Sequence, residues 1–215
     1  MNHVAIIDYG CGNLFSVARA LTSVGLQASI VTDREAIASA DAILLPGVGA
    51  FGDSMDRLRV LDLVSPIRDA VGSGKPFLGV CLGFQLLFES SDEFGVHEGL
   101  GLLPGHITKL APEDDNGLPL KIPKVGWNQI SYRRPGALFQ GVPEHAFMYF
   151  VHSFKAVPSD LAHSVATASY GSEEFCVAVE LRNTFGVQFH PETSGTLGRR
   201  IYTNFSHKID ETRND

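Results

Sequence analysis

Four short apolar runs, Val4–Asp8, Ala28–Thr32, Ile43–Leu45 and Phe77–Val80, each lead into a stretch that reads as helix. The helices are expected from about Asn13 to Val24, in a short segment capped by Asp33, within Asp53–Ser73, and from Phe84 to Glu89. Such alternation requires crossovers. Right-handed crossovers give an α/β fold, a mostly parallel, doubly wound sheet with helices on both faces. Ligands of such sheets bind beyond the carboxyl ends of the strands. Gly10-Cys-Gly-Asn13, Pro46–Gly49 and Cys81 all fall at those ends, so one sheet edge should gather the chemistry. The second half reads differently. Strands are expected at His106–Leu110, Gln129–Tyr132, Phe147–Val151, Ser164–Ser169, Cys176–Leu181 and Phe185–Phe189, before a closing helix from Thr193 to Lys208. Short turns between them imply antiparallel pairing, as an extension of the sheet or a smaller second one. Pro112–Pro123 is the clearest surface loop. With 215 residues and no repeat or polar linker, residues 1–215 should form a single domain. A chain of that length buries roughly 70% of its unfolded surface.

The chemistry-bearing stretch is Pro76-Phe-Leu-Gly79-Val-Cys81-Leu-Gly83-Phe-Gln85. Glycines two places before and two places after Cys81 allow a sharp strand-to-helix turn that holds one side chain out at its tip. The first N–H groups of a helix favour thiolate over thiol, which makes this a candidate nucleophile. A small buried cysteine is the plain alternative. Two further segments bear on the choice. Phe189-His190-Pro191-Glu192 follows an apolar strand, and on extended backbone His190 and Glu192 leave on the same face. A carboxylate so near can orient an imidazole, forming the base-and-orienter pair that a thiol nucleophile needs. A surface His and Glu after a proline turn is the competing picture. Ala42-Ile-Leu-Leu-Pro46-Gly47-Val48-Gly49 runs from a strand into a glycine loop whose N–H groups can approach a ligand closely. One oxyanion donor from the Val48/Gly49 loop, with the N–H of Leu82 as the second, is the fitting role. A phosphate loop is rejected because no Gly-Lys-Ser/Thr follows, and a plain turn stays open.

Composition excludes several classes. Hydrophobic residues are 44% and charged residues 19%, as in ordinary globular proteins. A formal charge of −7 argues against nucleic-acid binding. No run is long enough for a membrane span, and no secretory signal is visible ahead of the first strand. Cys11, Cys81 and Cys176 are odd in number and widely spaced, so neither disulfides nor a zinc site are expected. The eight histidines form no ligand motif. No metal or other cofactor is expected, and the cytosol is the expected compartment.

These motifs together carry a resemblance. The chain resembles the class I glutamine amidotransferases, the triad glutaminases, and within them the glutaminase subunits of imidazole glycerol phosphate synthase from histidine biosynthesis. The matching residues are Asp8-Tyr-Gly10-Cys-Gly12-Asn13-Leu14, Pro46-Gly-Val-Gly-Ala-Phe-Gly52, Gly79-Val-Cys-Leu-Gly83 and Gln85-Leu-Leu-Phe-Glu89. They continue with Gly99-Leu-Gly-Leu-Leu, Gly126-Trp127-Asn128, Tyr149-Phe-Val-His152-Ser153 and Gln188-Phe-His-Pro-Glu192. The resemblance implies hydrolysis of glutamine to glutamate and ammonia through a thioester on Cys81, with His190 as base and acid and Glu192 orienting it. It implies that Gly49, Gln85 and the backbone of His152, Ser153 and Phe154 bind the amino-acid end of glutamine. It implies a heterodimer with a (β/α)8-barrel cyclase that receives the ammonia through a tunnel, and Asn13, Trp127 and Tyr149 match positions at that interface. It also implies a glutaminase nearly idle until the synthase binds its own substrate, with Gly47-Val48-Gly49 as the switch.

Two positions depart from the family pattern. Thr193 stands where a lysine is usual after the triad glutamate, and Pro123-Lys124-Val125 replaces a usual Pro-His and apolar residue before Gly126-Trp-Asn128. The triad is untouched, and the departures bear on the partner. A paralogous glutaminase feeding a different synthase is the alternative. Other rivals are a noncatalytic module that kept the fold, which would show a broken triad, and a cysteine peptidase or γ-glutamyl hydrolase, which would need a longer cleft. A dinucleotide site at Gly10-Cys-Gly12 fails for want of a third glycine.

Overall fold

The computed structural model describes residues 1–214. Its first half alternates as the apolar runs require. Strand β1 (His3–Ile7) leads to helix α1 (Leu14–Thr22), β2 (Gln27–Val31) to α2 (Arg34–Ser39), and β3 (Ala42–Leu45) to α3 (Phe51–Val60) and α4 (Val64–Gly72). Strand β4 (Phe77–Val80) leads to the one-turn helix α5 (Leu82–Gln85). Two starts are set by side-chain caps. Asn13 accepts from the Ser16 N–H and Asp33 from the Ala36 N–H, each satisfying an otherwise orphaned donor.

The remaining strands are β5 (Phe88–Ser91), β6 (His97–Glu98), β7 (Leu103–Lys109), β8 (Lys124–Gln129), β9 (Ser131–Tyr132), β10 (Phe147–His152), β11 (Phe154–Pro158), β12 (Ser164–Tyr170), β13 (Glu173–Leu181) and β14 (Thr184–Val187). Helix α6 (Gly195–Asn214) closes the chain. A twelve-stranded sheet runs in the order β2-β1-β3-β4-β14-β13-β11-β7-β5-β6, with β12 branching from β13 and β9 pairing with β12. Strands β2, β1, β3, β4 and β14 are parallel, while β13 turns back antiparallel to β14 and opens the extension. The late strands thus do both things the sequence allowed. Most extend the main sheet, and β8 and β10 form a separate antiparallel ribbon.

Alternation places successive residues of a strand on opposite faces. Val4 and Ile6 of β1 join Val17, Leu21, Ile201 and Phe205 in one core, under α1 and α6. Ala5 and Ile7 join Ile37, Met55, Leu58 and Ile67 in the other, under α2, α3 and α4. Apolar residues at Val4–Ile7 of β1 and at every position of β3 and β4 therefore report burial on both sides, as central parallel strands require.

Strands β6 and β11 were not expected, β8 overlaps the expected Gln129–Tyr132 only at Gln129, and one helix was misread. The helix expected over Phe84–Glu89 is only Leu82–Gln85, and Phe88–Ser91 is a strand paired with β7. Phe84-Gln-Leu-Leu-Phe88 is apolar nearly all round, and such a run carries no period that separates a buried helix from a buried strand. The turn before it is fixed by close backbone approach. A Cβ on Gly83 would overlap the Leu45 carbonyl oxygen, and one on Gly79 would meet the Gly83 oxygen at 2.6 Å. Gly83→Ala is expected to cost about 3 kcal/mol of stability through this overlap; denaturant unfolding will measure it, and a variant as stable as the parent would contradict the packing.

Candidate active site

Cys81 sits between β4 and α5 at φ 55 and ψ −110, a conformation that costs a non-glycine residue about 1–3 kcal/mol. It is held there by its neighbours. The Cys81 N–H donates to the Val187 carbonyl at 2.9 Å, which locks the turn to β14. The side chain is buried, with Sγ 3.8 Å from both the Val151 oxygen and Gln188 Nε2. Because α5 is a single turn, little macrodipole builds up behind the thiol. The imidazole of His190 is the group placed to compensate a thiolate.

His190 follows β14, and its N–H donates to the Tyr149 carbonyl at 2.9 Å. Its Nδ1 lies 2.8 Å from Glu192 Oε1, and the other oxygen, Oε2, accepts from the Tyr202 hydroxyl at 3.2 Å. The two residues meet by a different route from strand alternation. Pro191–Thr193 is a 3-10 turn that swings Glu192 back under the ring. The other ring nitrogen, Nε2, is buried and faces Cys81, and among the described residues no other partner reaches it. Burial pushes the imidazole down, but the hydrogen bonds and charges of Cys81 and Glu192 outweigh it and raise the pKa to about 10. Such an imidazole can hold a thiolate as an ion pair and later give its proton away.

Cys81 opens onto a cavity of about 210 Å³ lined by Val48, Gly49, Leu82, Gln85, Glu93, Pro123, Val151, His152, Ser153 and Phe154. That is below the roughly 300–1,000 Å³ of sites for drug-sized ligands, so it suits an amino acid better than a peptide. Gln85 Nε2 donates to Gln188 Oε1 at 2.9 Å and to the Phe154 oxygen at 3.2 Å. His152 Nδ1 lies 2.8 Å from the same carbonyl, which can only accept, so Nδ1 carries the proton and Nε2 is left unpartnered. Of the expected oxyanion donors, Gly49 is open to the cavity at φ 107 and Val48 is half-exposed. The Leu82 N–H is occupied: it donates to the Gly47 carbonyl at 3.4 Å. Pro46, one residue back, has its carbonyl pinned by the buried Tyr9 hydroxyl at 2.9 Å.

Sequence reasoning missed three residues here. Glu93 reaches the cavity wall and accepts from the Phe51 N–H at 2.7 Å; burial raises its pKa, with that hydrogen bond opposing. Ser90-Ser-Asp-Glu-Phe-Gly95 gives no hint, since it reads as a polar turn. Gln188, wholly buried just past β14, had a signal: it is the one polar side chain in the apolar run Phe185-Gly-Val-Gln-Phe189. Lys124 is buried, its Nζ 4.2 Å from the centre of the Phe150 ring, and burial lowers its pKa to about 8. It is therefore not a surface charge facing a partner.

The three expected interface residues do not share the cavity. Asn13 caps α1. Trp127 is 55% exposed, opposite Tyr149 across the ribbon, with ring centroids 6.0 Å apart. Val125, Phe147 and Val151 alternate with them on the same ribbon face and are also exposed. Among the described residues no group of three or more His, Cys, Asp or Glu could hold a metal ion, and no helix is long and apolar enough to cross a membrane.

A family model described as Glutamine amidotransferase class-I matches residues 5–209. Imidazole glycerol phosphate synthase subunit HisH of Syntrophotalea carbinolica is 48% identical over 203 residues, covering 94% of this chain and 98% of that protein. The chain belongs to the class I glutamine amidotransferases, in their HisH branch. The HisH subunit of Aquifex aeolicus is 46% identical over 207 residues, covering 96% of this chain and 97% of that one. Among solved structures, PurLQS from Thermotoga maritima shares the fold with a TM-score of 0.72 at 22% identity, over 97% of this chain and 100% of that one.

In this member of the family His152 titrates abnormally. Burial drives its pKa down to about 4, with the Lys124 and His190 charges adding and the Phe154 carbonyl opposing. Between pH 6.5 and 4 the unfolded chain binds the proton that the folded chain refuses, so stability falls as pH falls through that window. The drop from pH 7.5 to 5 should be about 2 kcal/mol from this residue. Unfolding titrations of His152→Asn should lack that increment, and an unchanged pH slope would contradict it.

Proposed function

We propose that this chain is the glutaminase subunit of an imidazole glycerol phosphate synthase, hydrolysing glutamine to glutamate and ammonia for its cyclase partner in histidine biosynthesis. The observation that carries the reading is the convergence of Cys81, His190 and Glu192 at one small cavity, with the carboxylate 2.8 Å from Nδ1. The Cys81 thiolate attacks the side-chain carbonyl carbon of glutamine and forms a tetrahedral oxyanion. The imidazolium of His190 then protonates the amide nitrogen as the C–N bond breaks, releasing ammonia and leaving a thioester. Water, deprotonated by His190, attacks the thioester, and the thiolate leaves with glutamate.

Gly49, Gln85 and the backbone of His152, Ser153 and Phe154 would hold the amino-acid end of glutamine. Glu93 brings a carboxylate to the cavity wall, the natural partner of the substrate ammonium group. The oxyanion would be held by Leu82 N–H with a donor from Val48 or Gly49. Leu82 N–H now serves the Gly47 carbonyl, so the loop must shift before that donor turns to substrate. This fits a glutaminase held near idle until its synthase is loaded.

The cyclase, a (β/α)8 barrel, would dock on the exposed ribbon face of Val125, Trp127, Phe147, Tyr149 and Val151, with Asn13 at the start of α1. Exposed aromatics of this kind suit a hot spot. End-to-end HisH relatives at 48% and 46% identity favour this cyclase over a different synthase. The Thr193 departure costs the site nothing, since its hydroxyl donates to the His190 carbonyl at 3.1 Å. The whole chain acts as one amidotransferase domain, in the cytoplasm.

Cys81→Ser should lose at least about four orders of magnitude in glutamate production while keeping its fold; a coupled glutamate assay with cyclase and ribotide ligand present decides it, and comparable turnover would refute the thioester. Trp127→Ala should weaken cyclase binding by about 2 kcal/mol, roughly thirtyfold in Kd, as calorimetry will measure, without changing the melting temperature. Unaltered affinity would move the interface elsewhere.

A further inference from the structure

Tyr202 lies on α6, its side chain wholly buried among the core residues of that face. Phenylalanine would fill the same space without a polar atom to satisfy. A buried hydroxyl is tolerated when it is partnered, and the partner of Tyr202 is Glu192 Oε2 at 3.2 Å. Burial and the adjacent Glu192 charge hold the phenol well above its ordinary pKa, so it stays a donor at every working pH.

The neighbouring bonds show where this contact acts. The His190 backbone is already fixed, its N–H on the Tyr149 carbonyl and its own carbonyl taking the Ser194 hydroxyl at 2.6 Å and the Thr193 hydroxyl at 3.1 Å. The Glu192 carboxylate has no such anchor besides its two side-chain contacts. One oxygen faces Nδ1 at 2.8 Å and the other faces Tyr202. A planar group held at both oxygens cannot swing about its terminal torsion, and it keeps its lone pair aimed at the imidazole. The same donor draws charge from the carboxylate. That tempers its hold on the imidazolium proton, which must leave with ammonia.

From this we infer that Tyr202 is a positioning residue of the catalytic machinery, acting through Glu192 as a fourth link behind Cys81, His190 and Glu192. The inference rests on the triad reading above and adds a residue that no sequence motif carried.

Tyr202→Phe keeps the ring and removes only the donor. In the full chain with its cyclase bound, glutaminase kcat is expected to fall about tenfold with KM unchanged within a factor of two. The pH profile of kcat should change as well, because loss of the donor alters the field that Glu192 sets at the His190 imidazole. In a Glu192→Ala background the same substitution should have no further effect on residual turnover. The assay is run well below the melting midpoint of each variant. An unchanged kcat and pH profile in folded Tyr202→Phe would overturn the inference. So would an equal loss in the Glu192→Ala background, or a loss that only follows the fraction unfolded. Failure of the triad reading looks different: Glu192→Ala would then retain full turnover, and both would fall together.

Discussion

Everything at the site depends on keeping Cys81 in a backbone conformation that an isolated chain would abandon. A left-handed φ with ψ −110 is unfavourable for a residue with a Cβ. It persists because β4 is clamped between β3 and β14, and because the Cys81 N–H has a partner only on β14. Gly83 lets α5 begin against the Leu45 carbonyl, and Gly79 lets the turn fold onto its own strand. The central parallel sheet, with both faces buried, is what over-determines this turn. Its stability is spent in part on one strained peptide at its edge.

The ribbon of β8 and β10 ties that edge to the outer surface. On one side it offers Trp127 to solvent beside the half-buried Tyr149. On the other, the Val151 carbonyl faces the Cys81 sulfur and the Tyr149 carbonyl holds the His190 N–H. The Ser194 hydroxyl closes the loop, accepting from Tyr149 N–H and donating to the His190 carbonyl. A partner pressing on the aromatic face therefore bears on the peptide that carries the proposed base. No long chain of side chains is needed, because Tyr149 belongs to both surfaces.

The sequence made the parallel half of the fold legible because its central strands are buried on both faces and its first two helices carry side-chain caps. Asp33 and Asn13 stand where they were expected, and Cys81 stands at its strand end. The segment Phe84–Glu89 failed because Phe84-Gln-Leu-Leu-Phe88 is apolar nearly all round, and only pairing of Phe88–Ser91 with a strand fifteen residues later decides where the helix stops. His190 and Glu192 were paired for a reason that does not hold here, a 3-10 turn replacing extended backbone. Glu93 and Tyr202 could not be joined to Cys81 in advance, since their proximity is produced by sheet order and by α6 packing back on the sheet. Local chemistry is written in motifs, whereas the supports of that chemistry are written in topology.

Occupation of the Leu82 N–H by the Gly47 carbonyl gives the proposed idle state a physical cause. An N–H···O contact of 3.4 Å is weak, so its loss costs little, yet while it stands the donor faces protein instead of substrate. The Tyr9 hydroxyl on the Pro46 carbonyl fixes the strand end just before the loop. In the proposed switch, motion would then fall to Gly47, Val48 and Gly49. Gly47 has no room for a Cβ beneath Tyr9, and Gly49 already occupies a left-handed conformation over open space. A hinge with one fixed end, one weak latch and one free glycine can exchange a carbonyl for an N–H at the oxyanion position without disturbing the strained cysteine. That separation matters. It lets the proposed nucleophile stay permanently poised while transition-state stabilisation, the term that governs the rate, is supplied only when the loop turns.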